Sequence, residues 1–196
     1  MRLYLARHGE TEWTVSGRHT GRTDVPLTPR GEEQARSLGA ELAGIQVDRV
    51  LSSPMSRALE TARLAGFGDR VEVTDLLREF DYGEYEGLTS ATIREQRPGW
   101  DLFRDGCPGG ETAPEVAKRV MPLLTELAEA DADAILFGHG HGLRILAVTD
   151  LGLEAANARY LYLSTGSLSM LGQEHSWPTV VRWNHVPGEL AGGSRP

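Results

Sequence analysis

The chain has 196 residues, of which 40% are hydrophobic and 24% charged, so it can build one core but is too short for two full domains. Its net charge of −8 repels nucleic acid and acidic membrane surfaces, and Arg144 and Asp150 break the apolar stretch 143–153 well short of bilayer length. The single cysteine, Cys107, excludes an internal disulfide and a multi-thiolate metal site.

Arg2 and Arg7 bracket only four residues, too few for the apolar segment of a leader. The expectation is a cytoplasmic protein with no nucleic-acid or membrane partner, and with a homodimer left open. An anionic ligand must meet a local cluster of positive charge. Every cation except Lys118 is arginine, whose planar fork suits phosphate oxygens.

Leu3–Ala6 is a short apolar run, read as a strand that ends at Arg7-His8-Gly9. Thr28-Pro29 is a cap followed by proline, and Ala35, Leu38 and Leu42 continue at helical spacing, which predicts a helix over 29–43. A second strand is expected at 47–51. Ser53-Pro54 repeats the cap-plus-proline signal ahead of a helix carrying Arg57. A third strand is expected at 71–73. Residues 76–87 read as an acidic, aromatic loop, 89–96 as a short helix and 100–110 as irregular chain. A long helix is expected over 112–130, bent or weakened at Pro122. Ala134–Phe137 is a buried-strand signature that stops at Gly138-His139-Gly140-His141-Gly142, with a helix expected over 143–151. Strands are expected at 160–163, 167–171 and 179–183, the last two as a hairpin, before a flexible Gly/Pro-rich tail at 187–196.

Strands alternating with helices predict an α/β fold, a three-layer sandwich with a mostly parallel central sheet flanked by helices. The domain is expected to span 1–186, with 80–112 as a lid. Ligands of such sheets bind beyond the carboxyl ends of the strands. Three strand ends deliver Arg7 and His8, Ser52-Ser53-Pro54 with Arg57, and His139 with its glycines. Two arginines, two histidines and glycine-flanked amides describe an anion site. A neutral imidazole is a good nucleophile near pH 7, provided its second nitrogen is held as N–H. The leaving oxygen needs a proton donor, and Glu79 and Asp81 are the candidates; two residues apart on extended chain, they point opposite ways. A rival reading places zinc on His139 and His141 with His8 and a carboxylate, but the arginines would repel a cation. Arg144 reads as an anchor for the His139 loop, Glu111 as a helix-start acid, and His19 as an ordinary histidine. Tyr82, Trp100, Phe103 and Arg104 are candidates for the lid.

Leu5-Ala6-Arg7-His8-Gly9-Glu10-Thr11 resembles the signature of the histidine phosphatase superfamily, in its phosphoglycerate-mutase-like branch. Thr20-Gly21, Asp24, Thr28 and Gly31 follow in that family's order, then Ser52-Ser53-Pro54 with Arg57, Leu77-Arg78-Glu79 with Tyr82-Gly83, and Gly138-His139-Gly140 with Arg144. The resemblance covers roughly residues 1–150. Thr14 stands where many members carry asparagine. The resemblance implies His8 as phosphoryl acceptor, Glu79 as proton donor, and Arg7, Arg57 and His139 as the phosphate pocket. Thr20, Gly21, Tyr82, Arg104 and His141 complete the set as expected substrate contacts, with no metal or organic cofactor. The segments 79–87 and 100–112 resemble sugar-bisphosphatase and acid-phosphatase-like members. The implied function is hydrolysis of phosphate monoesters of small metabolites, with a cofactor-dependent phosphoglycerate mutase as the alternative and a phospho-ligand binding module as a more distant one.

Overall fold

A computed structural model describes residues 1–188; the expected tail at 187–196 lies almost wholly outside the described residues. The sheet order is β3 (Val71–Val73), β2 (Arg49–Ser52), β4 (Ala134–Gly138), β1 (Leu3–Arg7), β5 (Leu168–Glu174) and β6 (Trp177–His185). The first four run parallel, whereas β5 pairs antiparallel with β1 and β6 pairs antiparallel with β5. The mostly parallel sheet and the C-terminal hairpin are as expected.

Alternation along the central strands feeds two layers. Leu3, Leu5, Leu51 and Leu136 face α6 (Ala113–Glu129) and α7 (Gly140–Asp150), packing on Leu123, Leu127 and Leu146. Tyr4, Ala6, Val50, Ile135 and Phe137 face α2 (Pro29–Leu42) and α3 (Ser56–Leu64), packing on Leu38, Leu42 and Ala62. Period-two side-chain direction makes this division automatic once both faces are covered. Two short helices, α1 (Glu12–Val15) and α4 (Ser90–Gln96), and the single turn α5 (Leu102–Asp105) lie in the loops above the strand ends.

Several local expectations are corrected. Residues 160–163 form no strand: a 3-10 helix spans Ala155–Tyr160 and irregular chain follows. α6 runs through Pro122, whose position on the exposed face leaves the buried stripe Val116, Val120, Leu123 and Leu127 intact. α7 begins at Gly140, three residues earlier than expected, because extended His139 serves as its N-cap and glycine's low helix propensity hides the start. α3 begins at Ser56 rather than at Pro54. Its first turn is capped from another loop, where Asp24 accepts from Ser56 N at 3.0 Å and from Ser56 Oγ at 2.8 Å. That frees the Ser53 hydroxyl for another partner.

The segment 80–112 is a packed unit. Phe80, Tyr82, Trp100, Leu102 and Phe103 form a third core cluster with Val116, Ile145 and Val148. The Trp100 indole donates to Gly106 O at 2.9 Å, and Glu111 N donates to Asp81 O at 2.8 Å, which ties the segment's two ends together. Trp100 and Phe103 are core residues and do not line the cleft.

Candidate active site

The parallel order β2-β4-β1 sets the three expected strand ends side by side. His8 N donates to Gly138 O, and Ser53 N donates to Phe137 O, so both chains leave their strands stitched to β4. Gly9 then crosses the first turn of α2. A β-carbon on Gly9 would lie 2.2 Å from Gly31 O, and one on Gly31 would lie 2.1 Å from Glu10 O. Only two glycines allow this crossing, which fixes the loop that carries His8.

The His8 ring is buried, and its Nδ1 lies 2.7 Å from Gly9 O. A carbonyl can only accept, so Nδ1 carries the proton, and neutral Nε2 keeps its lone pair. Burial first, then Arg7 and Arg57, holds this imidazole well below the ordinary histidine pKa. It therefore stays neutral at physiological pH. The His139 ring stands edge-on to it, with centroids 5.1 Å apart.

Arg57 is completely buried. Its Nε donates to His139 Nδ1 at 3.2 Å, its Nη1 to Thr23 O at 3.0 Å, and its Nη2 to Thr20 O and Gly21 O at 3.1 and 3.0 Å. His139 Nε2 meets Ser53 Oγ at 2.7 Å. Because Nδ1 accepts from Arg57, neutral His139 carries its proton on Nε2 and donates it to Ser53. Both ring nitrogens are thus engaged. His139 borders His8 as expected, but in this arrangement it orients Arg57, and a phosphate taking its N–H must displace the Ser53 bond.

Arg7 is tied by Nη1 to Leu163 O, while its Nε is buried without a partner among the described residues. A buried unmet donor costs about 1–3 kcal/mol, and an anionic oxygen would relieve that. Gly140 permits the approach, since a β-carbon there would come within 3.1 Å of the Arg7 guanidinium carbon.

Glu79 is the carboxylate that faces this cluster. Its Oε1 accepts from Gly142 N at 2.7 Å and from Phe80 N at 2.9 Å, and its Oε2 accepts from His141 N at 3.1 Å. Two of these are the otherwise unpaired amides at the start of α7. Oε2 has fewer donors and so keeps room for a substrate proton. Asp81 is occupied elsewhere: it pairs with Arg22 at 2.6 Å and accepts from Gly83 N. Of the two carboxylates that spacing left open, Glu79 shares the cleft with His8 and Asp81 does not.

The other expected contacts divide. Thr20, Tyr82 and His141 line a cleft of about 250 Å³ with Arg7, His8 and Glu79. The Tyr82 hydroxyl lies 2.6 Å from His141 Nδ1. Gly21 lies outside that cleft and offers its carbonyl to Arg57. Arg104 is also outside it; the adjacent Asp105 takes its guanidinium at 2.7 Å, and a further bond goes to Gly99 O. Arg144 does not anchor the His139 loop. It donates to Ala158 O and Arg159 O and lies over the Phe103 ring while lining the cleft.

Four residues that hold the site were not expected to do so. Arg119 on α6 donates to the carbonyls of Leu76, Arg78 and Glu79, and pairs with Glu111 at 2.8 Å. Glu111 in turn accepts from Asp81 N, so it is a clamp on the Glu79 loop rather than a helix-start acid. Glu86 accepts from the amides of Gly21 and Thr23, fixing the carbonyls that hold Arg57. His19 stacks on Tyr82 with centroids 4.7 Å apart and lines the cleft; burial first lowers its pKa to about 4. Among the described residues, no group of three or more His, Cys, Asp or Glu side chains is placed to hold a metal ion.

The sequence profile of the histidine phosphatase superfamily (branch 1) matches residues 3–186. An acid phosphatase of Mycobacterium tuberculosis is 41% identical over 178 residues, covering 89% of this chain and 87% of that protein. The sedoheptulose 1,7-bisphosphatase of Saccharomyces cerevisiae is 35% identical over 185 residues, covering 78% and 68%. The solved structure of an open reading frame product of M. tuberculosis superposes with a TM-score of 0.90 at 38% identity, covering 95% of this chain and 98% of that one. Matched along nearly its whole described length, this chain belongs to the histidine phosphatase superfamily, branch 1.

Proposed function

We propose that the chain is a phosphatase that hydrolyses phosphate monoesters of small metabolites through a phosphohistidine on His8. The observation that carries this reading is the His8 Nδ1 bond to Gly9 O, which leaves Nε2 as a neutral nucleophile beside two guanidinium groups. In the first step Nε2 attacks phosphorus, the bond from phosphorus to the leaving oxygen breaks, and Glu79 Oε2 gives that oxygen a proton. In the second step water attacks phosphorus, the phosphorus–nitrogen bond breaks, and the water's proton returns to Glu79. Neutral His8 and inorganic phosphate result.

Arg7 and Arg57 stabilise the charge on the equatorial oxygens, and the free Nε of Arg7 is the donor that an oxygen would satisfy. His139, Ser53, Thr20 and Gly21 act by orienting Arg57. The cleft is smaller than the roughly 300–1,000 Å³ of pockets for drug-sized ligands, which favours a small metabolite. The acid phosphatase and sedoheptulose 1,7-bisphosphatase relatives support the same substrate class.

The test is turnover of p-nitrophenyl phosphate. His8→Ala is expected to lower kcat by at least ~10⁴-fold, the scale of losing a nucleophile. EDTA is expected to leave the unmodified protein active. A variant that retains more than about a hundredth of the activity would refute the role of His8.

A further inference from the structure

Among the described residues, three that are not glycine have a positive φ. Asp131 and His175 sit in turns, where that conformation is ordinary, but Asn184, at φ +55°, sits inside β6. The cause is a bulge. Leu168 of β5 faces His185 and Met170 faces Arg182, so Ser169 alone stands opposite both Trp183 and Asn184. Two residues against one re-aim the side chains of the longer strand, and a left-handed residue there favours glycine or asparagine. The Asn184 N–H donates to the Ser169 hydroxyl at 2.9 Å rather than to a strand carbonyl.

The two re-aimed side chains meet one short stretch of chain. Trp183 Nε1 donates to Tyr162 O at 2.6 Å, and Asn184 Oδ1 accepts from Ser164 N at 2.7 Å. Between these bonds lies the Leu163 carbonyl, which accepts from Arg7 Nη1. Leu163 O and Ser164 N belong to one peptide unit. A planar trans unit held by its N–H has the direction of its C=O set as well. Arg57 is fixed by His139 and three carbonyls, whereas among the described residues Leu163 O is the one hydrogen-bond acceptor that holds the Arg7 guanidinium. The direction of this single carbonyl therefore decides where Arg7 points. A rarely populated backbone conformation kept beside such a contact marks a positional demand.

We infer that Trp183 and Asn184 are positioning residues for Arg7: the β6 bulge fixes the Leu163 peptide, and that peptide fixes the guanidinium that stabilises phosphoryl transfer. This rests on the phosphatase reading and extends its machinery to the strand at the edge of the sheet. Tyr162 and Leu163 line the cleft with Arg7 and His8, but Trp183 and Asn184 do not, so both act through the 162–164 segment.

The test follows p-nitrophenyl phosphate turnover and Tm in the full chain. Asn184→Gly keeps the left-handed backbone and removes the acceptor; it is expected to lower kcat by about tenfold, with a smaller change in KM. Asn184→Asp keeps an acceptor oxygen and should recover most of that loss. In an Arg7→Lys background, which retains the charge without the planar fork, Asn184→Gly should cost less than about twofold, because the group it positions is already gone. A full-sized loss in both backgrounds, equal losses in Asn184→Gly and Asn184→Asp, or a lowered Tm with kcat unchanged would overturn the inference. Should Asn184→Gly unfold at the assay temperature, Trp183→Phe carries the test, since it keeps a ring and loses the N–H. A fall in kcat of about threefold is expected there, and an unchanged kcat would overturn the inference. Failure of the unmodified protein to hydrolyse p-nitrophenyl phosphate would instead overturn the phosphatase reading beneath it.

Discussion

The inner and outer ends of the cleft are built on opposite plans. At the inner end nearly every polar atom has a partner within the protein: Arg57 on His139 and three carbonyls, His139 on Ser53, Glu79 on three amides. At the outer end Arg144 donates to the carbonyls of Ala158 and Arg159, and exposed Arg18 lies over the Trp13 ring. The inner groups are held in one geometry before substrate arrives, which is what stabilisation of developing charge requires. The outer groups make fewer bonds within the protein, so guanidinium N–H groups are left over there.

Breaking the inner end should have the largest consequences. Glu79→Gln is expected to lower kcat by about 10²–10⁴-fold on an alkyl phosphate and by much less on p-nitrophenyl phosphate, whose leaving group departs without a proton. Equal losses on both would mean that Glu79 is not the proton donor. Gly9→Ala probes the backbone crossing. Its β-carbon must displace Gly31 O, so we expect a loss of about 2–3 kcal/mol and a Tm lower by roughly 5–10 °C. An unchanged Tm would mean that the crossing is not tight.

Ser53→Ala tests whether His139 works through Arg57. Removing the hydroxyl frees the imidazole to turn, and kcat is expected to drop by about tenfold, with Ser53→Thr recovering part of it. A change in KM alone would point to a different role. The smallest effect at neutral pH, but a growing one in acid, comes from the buried histidines. His8, His19, His139 and His141 all have lowered pKa values in the folded protein, mainly through burial. Below about pH 6.5 the unfolded chain binds protons that the folded one does not, so stability falls as pH drops. For His19 the fall runs from about 6.5 to about 4, at about 1.4 kcal/mol per pH unit for each histidine still neutral. Melting curves between pH 7 and pH 5 check the sign, and a Tm that rises in that window would contradict it.

Local signals carried much of this molecule. Arg7-His8-Gly9 after an apolar run, Thr28-Pro29 ahead of a periodic stripe and the buried run Ala134–Phe137 each encode their element within a few residues. The convergence of three strand ends then follows from the rules of parallel sheets. What escaped was set by distant partners. Ser53 looks like a helix cap, but Asp24 holds that position and Ser53 turns to His139. Glu111, just before α6, and Arg119, on α6, hold the carbonyls of Leu76, Arg78 and Glu79 and the amide of Asp81, residues far away in sequence. Arg104, expected as a substrate contact, is taken up instead by adjacent Asp105 and by Gly99 O. His19 carried no local pattern at all, because its meaning comes from Tyr82, His141 and Trp100 packed around it.

The most direct test of the account is to quench the protein in alkali within milliseconds of mixing with a ³²P-labelled ester and to map the label. The account predicts an acid-labile, alkali-stable phosphate on the peptide that contains His8, formed and lost at rates compatible with turnover and absent from His8→Ala. Turnover without a labelled His8 peptide, or a label on His139 or His141 instead, would contradict it.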